Sequence, residues 1–112
     1  MLIYKIFRSD EWADLKDQGE TQGAPIDLAD GYIHFSTADQ ARETAAKHFA
    51  GLDGLYLAAV DTGGLGDALK WEISRGGAEF PHLYAVLKLT DVIWCNPLPL
   101  IDGVHHFPDK MV

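Results

Sequence analysis

The apolar positions of this chain fall into short dense runs separated by stretches of helical spacing. Leu2 to Phe7 is apolar and aromatic and predicts a first strand. Ser9 reads as the cap of a helix over roughly Asp10 to Gln18, with Asp10 and Glu11 where the helix dipole favours acids. Trp12 and Leu15 lie three apart, with Ala13 nearby, as its buried face, and Gly19 stops it. Glu20 to Ala29 is polar and without a period and carries Gly23 and Pro25, so it reads as a loop able to serve as a flap over a site.

Asp30-Gly31 then signals a turn, and Tyr32 to Phe35 is aromatic and β-branched as strands prefer. Thr37-Ala-Asp-Gln40 has the form of a capping box and opens a helix from about Ala38 to Ala50. Ala41, Ala45, His48 and Phe49 form its apolar face, which places His48 in the core, and Gly51 ends it. Leu55 to Val60 is nearly all apolar and predicts a buried strand. Asp61 to Gly66 is a flexible loop without the residue order of a phosphate loop. Lys70 to Ser74 and Phe80 to Leu89 predict two more strands around the Arg75-Gly-Gly-Ala78 turn. Asp91 to Leu100 adds a strand segment broken by Pro97 and Pro99, and Ile101 to Val112 reads as irregular. This order, with hairpin-like spacing late in the chain, predicts a single α+β domain over residues 1–112, with a largely antiparallel sheet and two main helices.

Composition narrows the functions open to such a domain. A length of 112 residues suits one domain, and a hydrophobic share of 47% is enough for a packed core. Seventeen acids against nine bases, a net charge of −8, argue against nucleic acid and anionic membranes as partners and leave a small-molecule ligand. Cys95, alone, can form no internal disulfide, and its apolar surroundings make it a small buried residue. There is no signal-peptide pattern and no membrane-length apolar run, so the expected location is cytoplasmic.

Candidate chemistry concentrates on the strand before the second helix. Residues two apart share a strand face, so Tyr32, His34 and Ser36 point together toward a helix N-terminus, which suits an anion or a nucleotide. His34 also suits proton transfer, although a strand histidine bonded to a backbone carbonyl explains it equally. Thr37 reads as the helix cap, and neither hydroxyl sits in a nucleophile elbow. Glu72 faces opposite to Trp71 and is either a cleft acid or a surface acid paired with Lys70 or Arg75. His82 and Tyr84 share a face, for ligand or for core, and Arg75 between flexible neighbours suits a phosphate or carboxylate. No histidine or cysteine spacing presets a metal site.

Asp30-Gly-Tyr-Ile-His-Phe-Ser-Thr37 with Gln40, Leu69-Lys-Trp-Glu72 and Phe80-Pro-His-Leu-Tyr84 together resemble a family of small bacterial proteins called domain of unknown function 952. Some of its members carry a glutathione-transferase label. The family in turn looks like a minimal, distant member of the ADP-ribosyltransferase-like superfamily. That resemblance implies a split antiparallel sheet with NAD in its cleft. It implies His34 as the early basic residue, Ser36 and Thr37 on ribose or phosphate, and Tyr32 or Tyr84 on nicotinamide. Glu72 would be the late acid that polarises the ribose and supports an oxocarbenium-like transition state.

The leading expectation is therefore a nucleotide-like or phosphate-bearing ligand, NAD in its enzymatic form, in a cleft of Tyr32, His34, Ser36, Glu72, Arg75, His82 and Tyr84. The enzyme would be a transferase or glycohydrolase on that NAD-like substrate, with His34 and Glu72 catalytic. The alternatives are a non-catalytic binding or protein-interaction module and, more weakly, a glutathione-linked transferase. Catalysis at a ribose requires His34 and Glu72 on opposite walls of one concave site, and that geometry separates the first two readings.

Overall fold

The computed structural model describes residues 1–111, with the backbone alone for Arg75. In chain order the elements are β1 (Leu2–Phe7), α1 (Ser9–Gln18), β2 (Glu20–Thr21), α2 (Pro25–Asp30), β3 (Ile33–His34), α3 (Ala38–His48), β4 (Leu55–Asp61), β5 (Leu69–Ile73), β6 (Glu79–Leu83), β7 (Leu87–Lys88), β8 (Val92–Leu98), β9 (Leu100–Ile101) and β10 (Val104–His105). Two three-stranded antiparallel sheets, ordered β1-β4-β8 and β3-β6-β5, carry the fold, with small pairs β2-β7 and β9-β10 beside them. A backbone bridge joins the large sheets: Tyr4 and Ser36 exchange hydrogen bonds, each of 2.8 Å. The result is α+β with antiparallel sheets, as the pattern predicted.

The first sheet is buried on both faces, which is why β1 and β4 read as unbroken apolar runs. Ile3 and Phe7 join Leu15 of α1, Ala58 and Val60 of β4, and Ile33, Phe35 and Leu83 of the second sheet in one core. Tyr4, Ile6, Leu57 and Ala59, on the opposite face, pack with Ala45 of α3 in another. Thr37 and Gln40 form the predicted box: the Thr37 hydroxyl accepts from the Gln40 amide at 3.3 Å, and the Gln40 side chain accepts from Thr37 N–H at 3.0 Å. At α1 the cap is Arg8, one residue before Ser9, and Glu11 reaches back to its N–H at 2.8 Å.

Four segments differ from expectation. Glu20 to Ala29 holds β2 and α2, so there are three α-helices among the described residues rather than two. Pro25 is pre-set for the first helical position, and Asp27 supplies the cap from within by accepting from Ala24 N–H at 2.7 Å. Six residues are too few to show a helical period. The predicted strand Phe80 to Leu89 breaks after Leu83, and its end, as β7, pairs with β2. Val92 to Leu98 is one continuous strand; Pro97 is accommodated because β8 lies at the sheet edge. The tail contains a hairpin turned at Asp102-Gly103, both at positive φ (52° and 79°). His48, placed in the core by its spacing, is exposed in the last turn of α3. No helix among the described residues is long and apolar enough to cross a membrane.

Thr37→Ala removes the cap acceptor of α3 and should lower stability by about 1 kcal/mol. Urea unfolding should show a reduced midpoint at unchanged slope; an unmoved midpoint would mean that the box contributes nothing.

Candidate functional site

The site is built on Asp27. Helix α2 turns its carboxylate inward, where the residue is 1% exposed. Oδ2 accepts from Ala24 N–H at 2.7 Å and pairs with Lys5 Nζ at 2.9 Å. Oδ1 accepts from the backbone N–H of His34 at 3.0 Å and from its ring Nδ1–H at 2.5 Å. Burial pushes the carboxyl pKa upward, but the His34 hydrogen bond and the Lys5 charge outweigh it and hold the group at about 2, against 3.8 ordinarily. Lys5 is itself buried on β1 and also donates to the His34 carbonyl at 3.2 Å. The other ring nitrogen of His34, Nε2, lies 3.0 Å from Asp30, three residues further along α2. Gly23 keeps the approach clear: its φ is +105°, and a Cβ there would collide with the Asp27 carboxylate.

His34 and His82 are paired across β3 and β6 and share one face of the second sheet. Their rings stand edge to face, 5.4 Å between centroids. His82 is 3% exposed and its Nδ1 lies 2.8 Å from Glu72 Oε1, which also accepts from the Tyr84 hydroxyl at 2.7 Å. The Tyr84 bond and then His82 draw the Glu72 pKa down, and the same carboxylate pushes the Tyr84 phenol up to about 12. Tyr32 lies over the group, 4.1 Å from His82, 4.7 Å from His34 and stacked on Tyr84 at 5.2 Å.

Beside these groups, between α2, β1, α3 and the second sheet, lies a cavity of about 440 Å³. Of the predicted residues it brings together His34, Ser36 and His82. Tyr32 and Tyr84 line a shallower depression next to it, and Glu72 lines neither. Ser36 is buried and its hydroxyl lies 2.9 Å from that of Thr44. Thr37 is engaged as the cap of α3. The side chain of Arg75 lies outside the described residues. His34 and Glu72 thus share one sheet face, linked through His82, instead of facing each other across a gap. Glu72 hydrogen-bonds His82 and Tyr84, partners not considered from sequence. Among the described residues no three histidine, cysteine or acidic side chains group as metal ligands.

The cavity also collects residues the sequence reading passed over: Lys5, Arg8, Asp27 and Asp30. One signal for them exists. Lys5 is the only charge inside the apolar run of β1, and a buried lysine implies a partner. Two of the nine lysines and arginines and three of the five histidines line the cavity, against two of the seventeen acids. Cys95 is away from it, and burial pushes its thiol up to about 12, an unreactive group.

Fold and site define a small α+β protein with a largely apolar cleft, set with a few charged and imidazole groups, at the junction of two sheets. The chain belongs to the family described as Protein of unknown function (DUF952), whose model matches residues 6–95. It is similar to the crystal structure of Protein CC0527 from Caulobacter crescentus, with 51% identity, a TM-score of 0.91, and 95% of this chain and 94% of that one covered. The solution structure of CC0527 shares 53% identity, with a TM-score of 0.83 and coverage of 92% and 90%. A comparison with curated proteins gives no match.

The Asp27 pKa is depressed on folding, so its stabilising contribution is complete above about pH 4 and is lost as pH falls through about 2. That contribution is about 2 kcal/mol. The wild type minus Asp27→Asn difference, from urea unfolding between pH 5 and 2, should shrink by this amount. Asp27→Asn itself should cost about 3–5 kcal/mol at neutral pH by leaving Lys5 buried and unpaired. A difference that does not change with pH would sink the assignment.

Proposed function

We propose that the cleft binds a phosphate-bearing, nucleotide-like small molecule. The observation that carries this reading is the concentration of basic and imidazole groups in one cavity of a chain whose net charge is −8. Lys5 neutralises Asp27, and Arg8 offsets Asp30, so with neutral histidines the lining is balanced in formal charge while the chain as a whole is strongly acidic. The volume suits a nucleotide-sized group. The resemblance to the ADP-ribosyltransferase-like superfamily makes NAD and ADP-ribose the first ligands to try. The enzymatic form of the proposal is transfer or hydrolysis at the NAD glycosidic bond, with His34 held by Asp27 as the proton-transfer group. The placement of Glu72 favours a second reading, a binding module without that chemistry, since its carboxylate is occupied by His82 and Tyr84.

The test is a titration of ¹⁵N-labelled protein with NAD, ADP-ribose, nicotinamide and glutathione. Saturable shifts at Arg8, His34, Ser36 and His82 are expected with NAD and ADP-ribose, and Arg8→Ala should weaken both at least about tenfold, the loss of one charge-assisted contact. Shifts with glutathione alone would favour the transferase label, and silence to all four would defeat the proposal.

A further inference from the structure

The site contains two histidines of the same construction. Each is anchored through Nδ1 to a carboxylate, His34 to Asp27 at 2.5 Å and His82 to Glu72 at 2.8 Å. Each lines the one cavity, and the two occupy adjacent strands with their rings 5.4 Å apart. A carboxylate on Nδ1 fixes the ring and makes Nε2 the nitrogen that exchanges a proton with a ligand. One such dyad serves a reaction with a single proton transfer. Two serve a reaction that must take a proton from a nucleophile and give one to a poor leaving group. Cleavage of the NAD glycosidic bond does not need the second, because nicotinamide leaves as a neutral molecule. An alkoxide leaving from phosphorus does need it.

We propose that His34 and His82 are the acid–base pair of a phosphodiester cleavage, acting on a small ribonucleotide ester with a free hydroxyl beside the phosphate. The inference rests on the reading of the cavity as a site for phosphate-bearing ligands. One imidazole accepts the proton of the ribose 2′-hydroxyl as its oxygen bonds to phosphorus. The phosphorus–O5′ bond breaks, and the other imidazolium donates its proton to the departing oxygen. The products are a 2′,3′-cyclic phosphate and a free 5′-hydroxyl; the two rings exchange protonation states and return through water. Asp30, now 3.0 Å from His34 Nε2, is 41% exposed at its side chain and turns to solvent when the ligand hydroxyl takes its place. Asp27 and Glu72 are positioning residues for the two rings.

Two substrates separate the roles. The dinucleoside phosphate UpA leaves as an alkoxide, while uridine 3′-(4-nitrophenyl phosphate) leaves as a stable phenolate that needs no proton. The full chain should cleave both and should leave the 2′-deoxy analogue intact. Of His34→Gln and His82→Gln, the base variant should lose about 10²–10⁴-fold on both substrates, and the acid variant should lose as much on UpA but under about tenfold on the nitrophenyl ester. Glu72→Gln keeps the buried His82 in place and should repeat the His82→Gln pattern at smaller amplitude, a leaving-group selectivity that a merely structural defect does not produce. Equal losses on both substrates in both histidine variants overturn the pair. Saturable ADP-ribose binding without cleavage of either ester overturns it and leaves the binding proposal standing. Absence of binding as well as cleavage removes both.

Discussion

A buried carboxylate and a buried ammonium are costly to take out of water, by several kcal/mol each. This fold recovers the cost by giving Asp27 four donors and Lys5 two acceptors. The donors come from β1, from β3 and from the residue before α2, so one side chain ties three elements together. Helix α2 has six residues and would not persist alone; the ion pair and the internal cap hold it against the sheets. The same bonds orient the His34 ring. Local helix stability and the geometry of the site are therefore one interaction seen at two scales.

The cleft follows from the way the sheets meet. Among the described residues the bridge between their backbones is the Tyr4–Ser36 pair, and each has its own order of strands. Beside that contact the β3-β6 face, which carries His34 and His82, has no sheet packed squarely on it. Helix α2 on one side and the end of α3 on the other close the space only partly. The opposite face of the same strands, with Ile33 and Leu83, seals the core. Alternation along two short strands thus separates the reactive surface from the packed one.

The long, strongly patterned elements were legible from sequence: β1, α1, α3 with its box, β4 and the turn at residues 75–78. Of Tyr32, His34 and Ser36, expected together on one strand face, the cavity contains His34 and Ser36. What escaped was set by tertiary contact. Asp27 lies in a stretch read as a loop, because its helix is shorter than the window in which a period can be recognised. Glu72 could be read as a cleft acid or a surface acid but not as the partner of His82, since the β5–β6 register depends on the intervening turn. The hairpin at Asp102-Gly103 escaped because its strands, of two residues each, are too short to show an alternation.

Lys5 has a consequence for how the first sheet finds its alignment. Both faces of β1 are apolar, Ile3 and Phe7 on one and Tyr4 and Ile6 on the other. Hydrophobicity therefore discriminates poorly between the native register against β4 and one displaced by a residue. A displacement by one turns Lys5 to the α3 side, away from Asp27, and buries its charge without a counter-ion. The lysine makes the misaligned sheet costly where greasy side chains would accept it, so the charge that prepares the site also selects the strand pairing on which the site stands.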